Sequence, residues 1–441
     1  MNTSALYEIF QKFPHICTDS RLASPDSLFF ALKGDNNDGN KYAEQALEKC
    51  PYAIIDNPKY ANGDKYILVE DVLDTLQKLA AYHRKRLGLP ILAITGTNGK
   101  TTTKELTARV LSKKYNVFYT QGNLNNHIGV PLTLLSMTKE HTFGVVEMGA
   151  SHKGEIAKLC KIAAPDFGII TNVGRAHLEG FGSFNGIKEA KGELYRYLHE
   201  NDGMAFVNYD NEILEDMNPP RNIIYYGTKI FTHCQGKIED SPLYLSLKWM
   251  PSDEVIANEN EVVNNDNYTI HTHLIGAYNF ENALAAICVG NNFGINPADI
   301  KDAIENYIPQ NNRSQMVKTE NGNSVLLDYY NANPSSMDVA INNFANIKAD
   351  SKVLILGDML ELGDASSREH GVLIGLIQKL GFEDVYLVGK NFSSIKDAHV
   401  FQCFYDSDDC AKKIESLKLT GHTILVKGSR GMKMEKIVPF L

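Results

Sequence analysis

The sequence predicts an α/β protein of three domains, and three observations predict it. The chain has 441 residues, which at roughly 100 to 200 residues per domain allows two to four separate cores. Short apolar runs of strand length alternate with stretches whose apolar residues recur at helical spacing, the pattern of βαβ units around a parallel sheet. That rhythm breaks near residue 86 and again near Pro309, dividing the chain into residues 1–85, 86–309 and 310–441.

The first part is a small α/β unit. It mixes strand-like runs (SLFFALKG, YAIID, YILVE) with helical stretches in KYAEQALEKC and DVLDTLQKLAAYHRKRLG. The turn Gly88-Leu89-Pro90 ends the last of these, because proline disfavours helical geometry in the residue before it. In the central part ILAIT (91–95), FGVVEM (143–148), FGIITNV (167–173) and MAFVNYD (204–210) read as strands of a parallel sheet covered on both faces. Residues 228–275 change to polar alternation (YLSLKWM, NYTIHTHL) around an Asn-rich loop from Asn258 to Asn267, which predicts antiparallel strands at the edge of that sheet. The third part repeats the α/β rhythm in SVLLDYY (324–330), KVLILGDM (352–359), VYLVG (385–389) and TILVKGS (423–429), a Rossmann-like set.

Composition narrows the function. Lys plus Arg is 44 against Asp plus Glu 53, a net charge of −9, so a nucleic-acid footprint is not expected and any phosphate chemistry must be local. Apolar residues at 43% and charged residues at 22% fit an ordinary globular protein and exclude disordered and coiled-coil classes. The start carries no signal-peptide pattern, and no apolar run approaches the roughly 18 residues of a membrane span. A cytoplasmic protein is expected. The seven cysteines (Cys17, Cys50, Cys160, Cys234, Cys288, Cys403, Cys410) are odd in number and never spaced C-x-x-C. They read as buried reduced thiols, not a disulfide framework or a zinc site.

The strongest chemical signal runs from Ile91 through Thr95-Gly96-Thr97-Asn98-Gly99-Lys100-Thr101-Thr102 to Leu106. A buried strand leads into two glycines that let backbone N–H groups curl round phosphate oxygens. Lys100 then neutralises β/γ charge, Thr101 can ligate Mg²⁺, and a helix N-terminus faces the anion. The spacing is G-x-x-G-K-T, shorter than the general P-loop, which would need glycine where Ile94 stands. The central part is therefore expected to be a P-loop ATPase domain. Such a site needs a carboxylate at the end of a neighbouring strand for Mg²⁺, and Glu147 in FGVVEMGAS fits. His177, in TNVGRAHLEG, follows another strand at the carboxyl edge, where α/β ligands bind. Lys191, among Glu189, Glu193 and Arg196, reads from its neighbours alone as a solvated helix lysine.

Taken together the motifs resemble those of the Mur ligase family, ATP-dependent amide ligases of peptidoglycan synthesis. The runs that carry the resemblance span the chain: TDSRLASPDSLFFALKGDNNDG (18–39), TGTNGKTTTKE (95–105), QGNLNNHIGVPLTLL (121–135), VVEMGASHKGEI (145–156), NVGRAHLEGFGS (172–183), EAKGELY (189–195), GAYNFENALAA (276–286), LDYYNANPSSM (327–337), LGDMLELG (356–363) and VKGSRGMKME (426–435). GNLNN with YNANP and GDMLELG points to the branch that adds D-alanyl-D-alanine to UDP-N-acetylmuramoyl-tripeptide through an acyl phosphate.

The resemblance implies a role for each matching residue. Thr95 to Thr102 would cradle ATP, with Thr101 and Glu147 on Mg²⁺; His177 and Lys191 would serve a second Mg²⁺, Lys191 as a carbamate formed with CO₂. A carbamate replaces a cation with an oxygen-donor anion that suits a hard metal. Asn279 and Asn282 would face adenine, Arg313 the phosphates and Asp328 the ribose. Tyr330, Asn331 and Asn333 match the ATP- and dipeptide-side loop, while Ser429 and Arg430 would anchor the dipeptide carboxylate. In the first domain Ser20, Arg21 and Lys33 resemble residues facing the UDP part; Asn123, Asn125 and Asn126 match the muramoyl-peptide side. The resemblance implies a catalytic set of Lys100, Glu147, His177, Lys191 and Arg313, and a monomer is expected. His127 stands where the family commonly has an acidic residue. A folylpolyglutamate-synthetase-like ligase shares the three-domain plan and is the alternative, as is a non-catalytic P-loop switch.

Overall fold

The computed structural model describes residues 2–34, 37–239, 243–251, 268–310 and 312–441; the Asn-rich loop from Asn258 to Asn267 lies outside them. The first sheet is parallel, in the order β1-β2-β5-β6: β1 (His15–Cys17), β2 (Ser27–Phe30), β5 (Tyr52–Ile55) and β6 (Tyr66–Leu68). A short antiparallel pair, β3 (Lys33–Gly34) and β4 (Asn37–Asp38), stands beside it. The helix Val72–Leu87 is capped by the Asp71 side chain at its start and by Gly88 in the left-handed region at its end.

The central sheet has nine strands in the order β15-β14-β13-β12-β11-β10-β7-β9-β8. These are β7 (Ile91–Thr95), β8 (Val117–Tyr119), β9 (Phe143–Glu147), β10 (Phe167–Ile170), β11 (Met204–Asn208), β12 (Asn222–Gly227), β13 (Cys234–Glu239), β14 (Tyr244–Pro251) and β15 (Thr269–Ile275). Strands β7 to β13 pair in parallel, and β13, β14 and β15 pair antiparallel at the edge. The third sheet, β16-β17-β21-β18-β19-β20, consists of β16 (Gln315–Lys318), β17 (Ser324–Asp328), β18 (Lys352–Gly357), β19 (Asp384–Val388), β20 (Gln402–Phe404) and β21 (Thr423–Lys427). It is parallel except for β16. The fold is the expected α/β arrangement on three sheets. The strands β1, β4, β8, β12, β16 and β20 are additional to the runs read from sequence. Among the described residues no helix is long and apolar enough to cross a membrane, and all seven cysteines are free, six of them buried.

The apolar core shows how the parts are joined. Leu76, Leu79 and Ala80 of the helix Val72–Leu87 sit in one continuous cluster with Leu28 and Ile54 of the first sheet and with Val130, Val146, Ile156 and Leu194 of the central part. The two parts thus share a core. The third sheet has two further clusters, one around Leu354 and Leu356 that also takes in Ile275 of β15, and one around Ile355 and Val426 on the other face.

A buried cation pins the shared core. Arg84 is 8% exposed and donates to the carbonyls of Ala163 (2.8 Å) and Ala164 (2.9 Å) and to the Asp166 carboxylate (2.9 Å), which also accepts from the Ile91 N–H. Arg84→Ala strands those acceptors and is expected to cost about 2 to 4 kcal/mol of stability. Urea unfolding of the two proteins checks this.

Candidate active site

Three strand ends make the site. β7 runs between β9 and β10, with Ile94 opposite Glu147 and Thr95 opposite Ile170. Because all three point the same way, the loop Gly96–Gly99, the carboxylate of Glu147 and the segment after β10 meet at one edge. The cradle leads directly into the helix Lys100–Leu111.

Glycine is required at both ends of that loop. Gly96 has φ 141°, and a Cβ there would lie 2.0 Å from the Thr171 hydroxyl; Gly99 has φ 78°, and a Cβ would lie 2.3 Å from Asn282 Oδ1. The loop is held from behind: Thr97 N–H donates to the Asn172 carbonyl and the Thr171 hydroxyl donates to the Asn98 carbonyl at 2.6 Å. Lys100 Nζ donates to the carbonyls of Gly96 (2.9 Å) and Thr97 (3.0 Å). Desolvation pulls its pKa below the ordinary lysine value, opposed by Glu147 and assisted by Arg313.

Glu147 is 1% exposed, and its carboxylate accepts from the Thr101 hydroxyl (2.9 Å) and the Asn125 amide (2.8 Å). Lys104, fully buried one helical turn after Lys100, donates to the Thr120 carbonyl (2.7 Å) and stands 4.0 Å from Glu147. Thr120 in turn accepts from the Glu147 N–H through its hydroxyl.

Lys191, on the helix Phe184–Glu200, is only 3% exposed, so it is not the solvated lysine its neighbours suggest. Glu189 pairs with Lys153 instead, and Glu193 caps the helix Glu155–Ala163 by accepting from the Gly154 and Ala157 N–H groups. Among the described residues no hydrogen-bond or ion-pair partner reaches Lys191; its Nζ lies 5.4 Å from the centre of the Phe181 ring. Burial and the charge of Lys100 lower its pKa to about 7, against the pull of Glu155 and Glu193.

His177 adopts the left-handed conformation, φ 49°, and its Nδ1 contacts the Glu361 carboxylate from the third domain. Desolvation pulls its pKa down and Glu361 opposes this. Asn279 and Asn282 are buried: the Asn282 amide donates to Asn279 Oδ1 at 3.0 Å, and Asn282 Oδ1 accepts from the Thr103 hydroxyl at 3.1 Å. They form a fixed pair under Gly99, not a helix cap.

The third domain closes the other side. Asn333 donates to Asn98 (2.9 Å), the Arg175 N–H to Ser335 (2.8 Å), and the Arg175 guanidinium pairs with the buried Glu369 (3.2 Å). The Arg313 guanidinium lies 3.7 Å from the centre of the Tyr330 ring, and Asp328 accepts from Lys427 (2.5 Å) and from the Ser314 N–H (3.2 Å).

The cavity so enclosed measures about 950 Å³ and is lined by Gly96 to Thr102, Asn123, Asn125, Asn126, Glu147, His177, Lys191, Asn279, Asn282, Arg313, Asp328, Tyr330, Asn331, Asn333 and Arg430. Five expected residues do not line it. Thr95 donates to the Met148 carbonyl, and Ser429 is buried, donating to the Ala332 carbonyl and accepting from the Leu360 N–H. Ser20 is spent on Gln45, Arg21 on Asp19 and Lys33 on Asp56. Sequence reasoning missed Lys104, Glu361 and Lys427. Lys427 ends an apolar strand run at the carboxyl edge and was open to the same argument as Glu147; Lys104 and Glu361 carry no such local signal.

Residues 94–290 match the Mur ligase middle domain and residues 312–430 the Mur ligase glutamate ligase domain. The UDP-N-acetylmuramoyl-tripeptide–D-alanyl-D-alanine ligase of Bacillus subtilis (strain 168) is 35% identical over 438 residues, covering 96% of this chain and 92% of that protein. The chain belongs to the Mur ligase family.

Among solved structures this Mur ligase is similar to MurF from Acinetobacter baumannii, with TM-score 0.84 and 29% identity over 96% of this chain and 92% of that one. It is also similar to the MurF ligase from Thermotoga maritima in complex with ADP, with TM-score 0.81 and 27% identity over 97% and 96%. In the Mur ligase cradle Gly99→Ala combines a left-handed φ with a clash against Asn282. It is expected to weaken adenine-nucleotide binding by at least about tenfold, the effect of one kcal-scale clash in a packed loop, while the circular dichroism spectrum is unchanged. Titration calorimetry reads the difference.

Proposed function

We infer that this chain is an ATP-dependent carboxylate–amine ligase that joins D-alanyl-D-alanine to UDP-N-acetylmuramoyl-tripeptide, giving the pentapeptide precursor of peptidoglycan. The observation that carries the reading is the full-length similarity to the B. subtilis ligase of that name, coupled to a phosphate cradle and a buried carboxylate in one cavity. The T. maritima MurF bound to ADP supports ATP as the nucleotide. The folylpolyglutamate synthase of Mycobacterium tuberculosis is similar at TM-score 0.62 and 13% identity over 83% of this chain, a likeness of fold alone.

In this reading the terminal carboxylate of the tripeptide attacks the γ-phosphorus of ATP, ADP leaves, and an acyl phosphate forms. The amine of the dipeptide then attacks the acyl carbon, phosphate leaves with the bond electrons, and the amine loses a proton. Lys100 and Arg313 are the cations placed to neutralise the transferring phosphoryl group. The contacts from Asn333, Ser335 and Glu369 to the central domain keep water from the acyl phosphate. Asn279 and Asn282 would carry the adenine side and Asp328 the ribose. Asn123, Asn125 and Asn126 would meet the muramoyl peptide, and Asn331 and Arg430 the dipeptide. Ser20, Arg21 and Lys33 would serve the UDP part from the first domain. ATP chemistry of this kind fits a cytoplasmic location.

The residues present fit Mg²⁺: Thr101 and Glu147 offer adjacent hard oxygens in a buried pocket. Among the described residues no cluster of three or more His, Cys, Asp and Glu forms a metal site alone, so a second ion at His177 would need a further oxygen donor. Lys191 suits that need. A buried, unpartnered amine with its pKa near 7 is substantially neutral at physiological pH, the form that adds CO₂ to give a carbamate. When bound, Mg²⁺ would supply charge neutralisation at the phosphates.

Two variants test the reading. Lys100→Ala should lower turnover by about 100-fold or more. Lys191→Ala should be nearly inactive and partly rescued by added formate or acetate. The assay is ADP release with Mg-ATP and the UDP-tripeptide, with and without D-alanyl-D-alanine; release that ignores the dipeptide overturns the assignment.

A further inference from the structure

Arg313 and Arg430 approach one aromatic ring from different parts of the third domain. The Arg313 guanidinium carbon lies 3.7 Å from the centre of the Tyr330 ring and that of Arg430 lies 5.6 Å from it. All three residues line the cavity. Two guanidinium groups this close repel each other, and a ring whose faces are electronegative offsets that repulsion while restricting both side chains.

The backbones that carry the three residues are tied at one point. Asp328 accepts from the N–H of Ser314, the neighbour of Arg313, and from Lys427, three residues before Arg430. Lys427 is 2% exposed, and its Nζ also reaches the carbonyls of Asp328 and Asn331 at 3.5 Å, on either side of Tyr330. The buried ammonium thereby sets the shape of the loop that presents the ring.

We propose that Tyr330 is a positioning residue that holds Arg313 and Arg430 on one ring and so couples recognition of the nucleotide phosphates to recognition of the dipeptide carboxylate. This rests on the ligase reading above. With either anion bound, its arginine is drawn into place, the ring is ordered, and the second arginine is presented already restricted. The two substrates should then strengthen each other's binding without touching a common side chain. Tyr330 itself takes no part in the bond changes.

The test keeps shape and varies the ring. Tyr330→Phe retains the ring face, so the mutual enhancement of binding between nucleotide and dipeptide should persist in it. Tyr330→Leu should raise KM for both ATP and D-alanyl-D-alanine by roughly 5- to 30-fold, the range of one cation–π contact, with kcat changed less. Site-specific replacement of Tyr330 by mono-, di- and trifluorophenylalanine weakens the ring face stepwise at nearly constant size. Both KM values should climb along that series, and the mutual enhancement of binding between a non-hydrolysable ATP analogue and the dipeptide should fade in parallel. A flat fluorinated series, or a rise confined to one substrate, overturns the coupling. It does so even if the leucine variant folds poorly. Wild-type enzyme without dipeptide-dependent ADP release overturns the ligase reading and this inference with it; dipeptide-dependent release with a flat series overturns the inference alone.

Discussion

The hydrogen bond from Thr101 to Glu147 is the constraint from which the rest of the site follows. It joins the first turn of the helix after the cradle to the end of a neighbouring strand, and both groups are buried. A carboxylate this deep costs several kcal/mol unless it is paired or well hydrogen-bonded. The Asn125 amide and the Lys104 ammonium behind it supply that compensation. Fixing Glu147 fixes the helix start, and the helix start fixes the tight loop whose glycines must then face Thr171 and Asn282. The phosphate cradle is therefore preorganised by contacts made on its protein side.

The seams between domains differ in kind, and the chemistry explains why. The first and central domains share apolar side chains and the Arg84 anchor, so their separation would expose core. The third domain meets the loop of residues 172–179 through polar contacts, from Asn98 to Asn333, Arg175 to Glu369 and His177 to Glu361. The His177–Glu361 pair is partly exposed and contributes little net free energy, whereas Glu369 is buried and costs more to part from Arg175. This seam is the more polar of the two, with Ile275 and Leu178 as its apolar contribution to the core of the third domain.

What was legible in the sequence follows the same physics. Long apolar runs such as ILAIT and FGVVE are legible because full burial on both faces of a parallel sheet demands them. The three-residue strands β8 and β20 are too short for a period to show, and β16, a polar edge strand, has no buried face to declare it. The cradle could be read because glycine, lysine and threonine act there in sequence order. Lys191 could not be read from its neighbours. Its burial comes from Phe181 and from the loop that Glu193 and Glu155 hold in place, contacts far apart along the chain. Ser429 is the converse case: a polar residue in a motif that reads as a ligand contact has its hydroxyl engaged between Ala332 and Leu360.

Charge completes the account. The chain carries a net −9, yet the cavity gathers Lys100, Lys158, Lys191, Arg313, Lys427 and Arg430 against Glu147, Asp328, Glu155, Glu281 and Glu361. Several of those acids are already committed: Glu147 to Thr101 and Asn125, Glu155 to the N–H groups of Ser151 and His152, Glu361 to His177, and Asp328 to Lys427. Lys100 disfavours the charge on Lys191, and Arg313 disfavours the charge on Lys100. A polyphosphate bound beside Lys100 and Arg313 would offset the repulsion between these cations. With those acids engaged, the cations of the lining remain to meet a multiply charged nucleotide, although the chain as a whole is acidic.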